Sequence, residues 1–155
     1  MHTSDHLPVP AVGPTDETAA LAEQERLRPL MRAEGVTAAE VRLIAGVDVS
    51  YAKDESAVAG AVVVLDAATL QVVDSATALR PVEFPYVPGL LAFREIPALL
   101  DALAALAATP DAIVCDGYGL AHPRRFGLAC HLGVRLPETT RQADQLSRRV
   151  LAGAR

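Results

Sequence analysis

The sequence predicts an α/β protein with a mixed central sheet flanked by helices. Three strand-like runs follow one another at residues 42–51, 57–65 and 70–79. The links between these runs are short enough for hairpins, which predicts antiparallel pairing. A helical pattern and a fourth apolar run, Ala112–Cys115, come next. Three consecutive strands followed by a helix and another strand predict a mixed sheet covered by helices.

Length and composition indicate one ordinary globular domain. The 155 residues are 51% hydrophobic but only 4% aromatic, so the core is expected to consist mainly of Ala, Val and Leu. We expect a flexible tail over residues 1–14 and a single domain over residues 15–155. The net charge of −5 argues against broad attraction to nucleic acid but allows a local basic patch. The sequence shows no C-x-x-C pair, signal-peptide pattern or apolar run long enough to span a membrane, and a cytoplasmic protein is expected.

The first helix is expected to start at a cap on Thr15 or Asp16 and to reach about Met31, with Pro29 kinking or shortening it. We interpret it as a packing helix without chemistry of its own. The second strand, residues 57–65, is almost continuously apolar and is therefore expected to be buried on both faces.

Asp48 interrupts the apolar pattern of the first strand. A buried, ionised carboxylate is costly unless it is paired or bound to a metal. The residue types alone leave two interpretations open, an acid on the solvent face of the strand or a ligand at a functional site.

Residues 80–91 contain three prolines and a glycine, which predict a stiff, irregular loop. Tyr86 lies in this loop, either packed on the domain surface or free to act as an aromatic wedge in a base stack. A helix is expected from Leu90 to about Ala108, with Pro97 delaying its start. Glu95 near the beginning of this helix is by itself well explained by the helix dipole.

Asp116 and Gly117 end the fourth strand, at the edge where open α/β sheets place their ligands. Pro123 is suited to the first turn of a following helix. Arg124 and Arg125 either contact phosphate or are simply solvated.

Three motifs together resemble the endonuclease V family. They are Gly-Val-Asp-Val-Ser-Tyr at 46–51, Pro-Tyr-Val-Pro-Gly-Leu-Leu-Ala-Phe-Arg-Glu at 85–95 and Asp-Gly-x-Gly-x-Ala-His-Pro-Arg-Arg at 116–125. The motifs occur in the order of the family, over roughly residues 19–134. The resemblance implies a ribonuclease H-like fold and a divalent-metal nuclease that recognises deoxyinosine. It also implies hydrolysis of the second phosphodiester bond on the 3′ side of the lesion.

The same resemblance assigns roles to individual residues. It implies that the metal ligands and catalytic acids are Asp48, Glu95 and Asp116, with Mg²⁺ or possibly Mn²⁺ as cofactor. It implies that Tyr86 is the wedge that fills the space of the displaced base, and that the pocket for the flipped hypoxanthine includes Gly89, Leu91, Gly117 and His122. Arg124 is a further candidate substrate-binding residue, through contact with phosphate. The expected partner is DNA or RNA containing inosine, with no membrane. The sequence leaves the oligomeric state open, with a monomer as the expected form.

After Val134 the sequence departs from the family. The family's next strand, with a lysine, and its later histidine-bearing segment are missing, and a tail-like stretch from Leu136 follows at once. We interpret this as an internal deletion that truncates the sheet on one side. A last helix is expected after Thr139 or Thr140, with its apolar side formed by Ala143, Leu146, Val150 and Leu151. Two further readings stay open, a non-catalytic remnant with weak nucleic-acid binding and a ribonuclease H-like enzyme with another substrate.

Overall fold

The computed structural model describes residues 13–31, 37–136 and 150–152. Its helices and strands are, in order, α1 (Glu17–Leu27), β1 (Leu43–Tyr51), β2 (Ala57–Asp66), β3 (Val72–Pro81), α2 (Ala92–Ala104), β4 (Ala112–Cys115), α3 (Leu128–Arg135) and β5 (Val150–Ala152). Short 3₁₀ turns cover Arg28–Leu30 and Ala38–Glu40. None of the helices within these described ranges is long and apolar enough to cross a membrane.

The strands form one mixed sheet in the order β3-β2-β1-β4-β5. The two hairpins pair β1 with β2 and β2 with β3 in antiparallel fashion. β4 lies parallel to β1 on its other side, and β5 lies parallel to β4. The mixed sheet predicted from the sequence is therefore confirmed.

The core lies between one face of the sheet and the helices α2 and α3. Val62 and Val64 of β2 point into it and meet Ile96 and Leu99 of α2. The approach of α2 to β2 is close, because a Cβ on Gly60 would lie 2.6 Å from the backbone of Ala98. A glycine at this position is what allows the helix to lie so near the sheet.

The other face of β2 is open, contrary to the expectation that this strand is buried on both faces. Burial alternates along the strand, and Val63 is 39% exposed. The reason is that α2 and α3 both pack on the side of Val62 and Val64. Leu79 of β3 is also exposed, at 74%.

α1 ends just before a proline, and α2 ends before two backbone amides that donate to a carboxylate of β3. As predicted, Pro29 shortens the first helix, which ends at Leu27 and continues as a 3₁₀ turn. The prediction that Pro97 delays α2 was wrong, since the Leu91 carbonyl already accepts the first helical hydrogen bonds at 2.9 and 3.2 Å. α2 also ends four residues before the predicted Ala108. The reason is that Asp74 accepts the N–H groups of residues 107 and 108 at 2.8 Å each and so draws this backbone out of the helix.

The helix predicted to begin at Pro123 begins instead at Leu128. Residues 119–127 form a loop in which Gly127 N–H donates to the Gly119 carbonyl at 3.1 Å. Arg125 adopts a positive φ of 54° in this loop. That backbone conformation cannot continue a helix, and α3 therefore starts only after Gly127.

The predicted last helix is wrong where the structure describes it. Val150–Ala152 forms β5, which pairs with β4 through the register Ile113↔Val150. A β-branched valine beside an unpaired strand edge favours this pairing. The cap at Thr139 or Thr140, with Ala143 and Leu146, lies outside the described residues, as does most of the tail predicted over residues 1–14. The deletion after Val134 and the truncated side of the sheet stay predictions.

Candidate active site

Asp48 and Asp116 lie on neighbouring strands at equivalent positions. Val47 of β1 is paired with Cys115 of β4 in parallel register. Asp48 follows Val47 within β1, and Asp116 follows Cys115 directly after the end of β4. Parallel neighbours point to the same side of a sheet and their strands are about 4.8 Å apart, so the two carboxyl groups share one edge.

Both aspartates line a shallow, open cavity on the uncovered face of the sheet. Its volume is about 440 Å³, and its other lining residues are Gly46, Val47, Ala61, Val63, Val114 and Cys115. Asp48 is exposed, and its Oδ1 accepts the Val49 N–H at 2.8 Å. The two acids are therefore open to solvent along the cavity, while its walls are mostly apolar.

Glu95 comes from the first turn of α2 and is half-buried. The Tyr51 hydroxyl at the end of β1 donates to Glu95 Oε1 at 3.1 Å. This bond fixes one oxygen of the carboxylate and ties the helix to the strand that carries Asp48.

The pKa of Glu95 is raised from its ordinary value. Burial is the largest cause, and the negative charges of Asp48 and Asp116 add to it. The Tyr51 hydroxyl and the positive charge of Arg94 act in the opposite direction. The three predicted acids therefore interact electrostatically, although they come from three separate elements.

The three carboxylates suit a divalent metal in chemistry but do not form a ready metal centre. Hard cations such as Mg²⁺ and Mn²⁺ take oxygen ligands, often one or two carboxylates completed by water and phosphate. In residues 13–31, 37–136 and 150–152, no three His, Cys, Asp or Glu side chains are grouped closely enough to hold a metal. The sequence predicts a shared site for these acids, and that part stays a prediction.

Arg94 is a site residue that the sequence analysis missed. Its side chain is 4% exposed, and its guanidinium lies 4.8 Å from the Tyr51 ring centroid and 5.9 Å from that of Tyr86. Its Nη2 is 3.5 Å from Glu55, and its Nε is buried without a hydrogen-bond partner. A buried cation thus connects the loop of Tyr86 with the residue that holds Glu95. An arginine on the buried side of an amphipathic helix was the available signal.

Tyr86 itself is 66% exposed on the loop between β3 and α2. The loop is irregular, as predicted, and its Phe84 and Leu90 are almost fully buried against Ala20 of α1. A loop anchored on both sides of an exposed aromatic residue is consistent with the expected wedge. Nothing in the contacts of Tyr86 tests that role.

Gly89, His122 and Arg124 come together as one hydrogen-bonded group. The Gly89 carbonyl accepts Arg124 Nη2 at 2.9 Å and lies 3.0 Å from His122 Nε2. His122 Nδ1 accepts the Arg124 backbone N–H at 3.1 Å. Burial lowers the pKa of His122. The neutral imidazole therefore carries its proton on Nε2 and donates it to Gly89.

Gln24 of α1 completes this group and was also missed, because the first helix was interpreted as packing only. Its amide contacts both the Gly89 carbonyl and the Arg124 guanidinium. Arg124 was expected either to contact phosphate or to be solvated, whereas its Nε and Nη2 form hydrogen bonds within the protein. Arg125 is the exposed arginine of the pair.

Gly117 and Leu91 lie outside the hydrogen-bonded group around Gly89. A Cβ on Gly117 would lie 3.1 Å from Leu128 at the start of α3. Leu91 is the residue whose carbonyl begins α2 and so helps to place Glu95. Their predicted contact with a displaced base stays a prediction.

The sequence model of the family described as Endonuclease V matches residues 25–140. The Endonuclease V of Nocardia farcinica is 55% identical over 126 residues, which cover 81% of this chain and 56% of that relative. The Endonuclease V of Streptomyces coelicolor is 54% identical over 134 residues, covering 85% and 57%. The chain thus spans about half the length of the curated relatives it matches.

Two solved structures show the same fold. The crystal structure of Endonuclease V from Streptomyces avermitilis superposes with a TM-score of 0.77 at 56% identity, covering 81% of this chain and 55% of that one. Endonuclease V from Ciona intestinalis, in complex with a 24mer DNA containing an inosine followed by a ribo-adenosine, has a TM-score of 0.68 at 33% identity. That match covers 74% of this chain and 51% of the other.

Proposed function

The chain belongs to the endonuclease V family, and we propose that it is a metal-dependent endonuclease acting on nucleic acid that contains inosine. In this proposal it hydrolyses the second phosphodiester bond on the 3′ side of the deaminated base. The family membership and the inosine-containing DNA bound by the Ciona intestinalis relative support the substrate class.

The observation that carries the proposal is the electrostatic coupling of three acids at one sheet edge. Burial is the largest cause of the raised pKa of Glu95, the charges of Asp48 and Asp116 add to it, and the two aspartates line the same open cavity. Like charges that repel one another across a solvent-accessible cleft favour a bound cation. In the absence of such a cation, the charges of Asp48 and Asp116 disfavour the ionised form of Glu95, which a purely structural role would not require.

Asp48, Glu95 and Asp116 would hold the divalent metal, which we propose to be Mg²⁺, with Mn²⁺ able to replace it. When bound, the metal lowers the pKa of water and neutralises charge on the phosphate. Tyr51 holds Glu95 Oε1 through its hydroxyl, which keeps this carboxylate in one orientation. Asp48 and Asp116 are open to solvent along the cavity, which leaves room for the water and phosphate ligands that such a metal takes.

Tyr86 is proposed to fill the space that the displaced base leaves. It is exposed on a loop whose neighbours are anchored. Removing a base from the stack costs a few kcal/mol, and the cost is lowest for a base that is already mispaired. An enzyme that pays this cost with a preformed loop would therefore select for deaminated bases.

A second candidate function is nucleic-acid binding without catalysis. It is favoured by the lack of a ready three-ligand group within the described part of the chain and by matches that span only 56% and 57% of the two curated relatives. This candidate predicts weak binding that falls steeply with salt and no cleavage.

A nicking assay separates the two candidates. A duplex and a single strand, each with one deoxyinosine and a 5′ label, are incubated with Mg²⁺ or Mn²⁺ and with EDTA as control. The proposal predicts a metal-dependent product ending one nucleotide beyond the inosine's own 3′ linkage, lost in Asp116→Asn. Salt-sensitive binding without any product, from protein shown to be folded by circular dichroism, would establish the second candidate instead.

A further inference from the structure

Gln24 is a buried polar residue whose amide nitrogen and oxygen both form hydrogen bonds with distant parts of the chain. It is 2% exposed. Its Nε2 donates to the Gly89 carbonyl at 3.0 Å, across 65 residues of sequence. Its Oε1 accepts Arg124 Nε at 2.7 Å, across 100 residues. One side chain of α1 therefore connects two segments that the sequence motifs assigned to the substrate.

The contacts close a ring of hydrogen bonds. Arg124 Nη2 donates to the same Gly89 carbonyl at 2.9 Å, so Gln24, Gly89 and Arg124 each touch the other two. Only one orientation of the Gln24 amide fits. The flipped amide would place its N–H groups against the guanidinium and its oxygen against a carbonyl.

Gly89 lies close to Arg124 and His122, in a backbone conformation that favours glycine. Its φ is +81°, and a Cβ there would lie 2.9 Å from Arg124 Nη2 and 3.3 Å from His122 Nε2. Gly89 lies three residues after Tyr86 on the same loop. Holding the Gly89 carbonyl therefore fixes where the exposed tyrosine projects.

We propose that Gln24 is a positioning residue for substrate recognition, which fixes the loop of Tyr86 against His122 and Arg124. This inference rests on the proposed function and extends it to α1, which carries none of the motifs. α1 also supplies Ala20, against which Phe84 and Leu90 of the loop are buried. The first helix thus supports the loop by a polar contact and by an apolar one.

The contribution is one of preorganisation. A loop that is already ordered loses less conformational entropy when it enters a base stack. Loss of the Gln24 contacts should therefore weaken binding to an inosine-containing strand more than it slows hydrolysis once the strand is bound. It should also reduce discrimination between inosine and an ordinary base.

Two substitutions test the ring. Gln24→Met keeps a similar volume and removes both polar contacts. Gln24→Glu keeps an acceptor for Arg124 and loses the donor to Gly89. Leu27→Ala is the matched control, because Leu27 is buried on the same helix at 3% exposure and takes no part in the ring. Each protein is titrated in Ca²⁺ with a labelled oligonucleotide carrying inosine and with one carrying adenine, and single-turnover cleavage is followed in Mg²⁺ at saturating protein.

We expect Gln24→Met to weaken inosine binding roughly tenfold, because only part of the free energy of the two lost hydrogen bonds, which lie within the protein, is expressed in substrate binding. Adenine binding and the saturated cleavage rate should change much less, Gln24→Glu should be intermediate, and Leu27→Ala should leave the inosine-to-adenine ratio unchanged. An unchanged ratio in Gln24→Met, or an equal loss in Leu27→Ala, would overturn the proposal.

Hydrogen exchange tests whether Gln24 positions the loop, separately from the proposed function. If the wild-type chain neither binds nor cleaves inosine strands, the proposed function is wrong. The ring still predicts faster amide exchange in residues 84–91 and 119–127 of Gln24→Met than of Leu27→Ala. Equal exchange in the two variants would show that Gln24 positions nothing.

Discussion

Glu95 is subject to two opposing influences from residues of β1. Tyr51 donates a hydrogen bond that stabilises the ionised carboxylate, whereas the charge of Asp48 destabilises it. The raised pKa of Glu95 is the net result of burial and of these neighbours. Each neighbour can be removed by a substitution that changes few atoms.

Tyr51→Phe and Asp48→Asn should shift the pKa of Glu95 in opposite directions. Loss of the Tyr51 hydroxyl favours the protonated carboxyl and raises its pKa further, while loss of the Asp48 charge lowers it. The measurement is a carbon NMR titration of the Glu95 carboxyl in metal-free protein. Tyr118→Phe is the control, since Tyr118 is exposed and its hydroxyl is not the one bonded to Glu95. Shifts of the same sign in both variants would mean that the electrostatic description of this site is wrong.

The sequence predicts the charged residues of the site better than the residues that hold them. Asp48 and Asp116 were identifiable because an acid within or after an apolar strand conflicts with its surroundings. Gln24 and Arg94 were missed, since a helix pattern places polar residues outward by default, although Arg94 falls on the buried side of its helix. Their contacts depend on partners up to 100 residues away, which periodicity cannot show.

At the scale of elements, the contact between β2 and α2 depends on a single glycine. Gly60 faces the backbone of Ala98, and the space between them is too small for any side chain. Gly46 on the neighbouring strand has nothing within 4 Å of its missing Cβ. The two glycines therefore form a matched pair for substitution.

Gly60→Ala should destabilise the protein by about 1–3 kcal/mol, because overpacking displaces the helix from the sheet. Gly46→Ala should be neutral or slightly stabilising, since alanine restricts the unfolded chain. Urea denaturation followed by circular dichroism measures both. An equal effect of the two substitutions would contradict the close approach of α2.

His131 connects α3 with α2 and with the loop before α3. Its ring is 2% exposed and packs edge-on against Phe93, with centroids 4.9 Å apart, and beside Phe126 at 5.3 Å. Burial, assisted by the charge of Arg135, lowers its pKa to about 3. The imidazole is therefore neutral in the folded protein over most of the acid range.

The stability of the protein should fall below pH 6.5 partly because of His131. The unfolded chain binds a proton there that the folded chain does not, so the free energy of unfolding decreases as pH falls from about 6.5 towards 3, by up to about 1.4 kcal/mol per pH unit. His131→Phe should remove this part, and its stability relative to wild type should improve from pH 7 to pH 4.5. Phe126→Leu is the control, because it alters the same packing without removing a titratable group. A His131→Phe difference that is the same at both pH values would contradict the prediction.

The end of α2 and the start of α3 depended on contacts made outside the two helices. α2 ends where Asp74 captures two amides, and α3 begins late because residues 119–127 close a loop of their own. Apolar periodicity placed these helices correctly but extended both of them too far. A helix end decided by a tertiary hydrogen bond leaves no local signal.

At the scale of the whole molecule, the sheet has one packed face and one open one. The two antiparallel hairpins and the mixed character of the sheet were predicted from the short links and from the helix before β4, and the structure confirms them. The order of the strands in the sheet was not predicted. The prediction that β2 is buried on both faces was wrong, because an apolar strand sequence does not show how many layers cover the sheet. The open face carries the cavity that Asp48 and Asp116 line.

In this arrangement Asp48 and Asp116 are exposed and Glu95 is half-buried, and the three acids come from three separate parts of the fold. Their electrostatic coupling favours a bound cation, although no three such side chains within the described ranges are grouped as metal ligands. The central claim is therefore that a divalent metal draws Asp48, Glu95 and Asp116 into one site.

Manganese binding followed by electron paramagnetic resonance tests that claim most directly. Wild-type protein, Asp48→Asn, Asp116→Asn and the control Asp54→Asn are titrated with Mn²⁺, and the free ion is quantified. Asp54 is suitable because it is exposed and bonds only within its own turn, to Ser56. The account predicts a Mn²⁺ site in wild type and Asp54→Asn that is weakened at least tenfold in either of the other variants. Equal binding by all four proteins, or no binding by wild type, would contradict it.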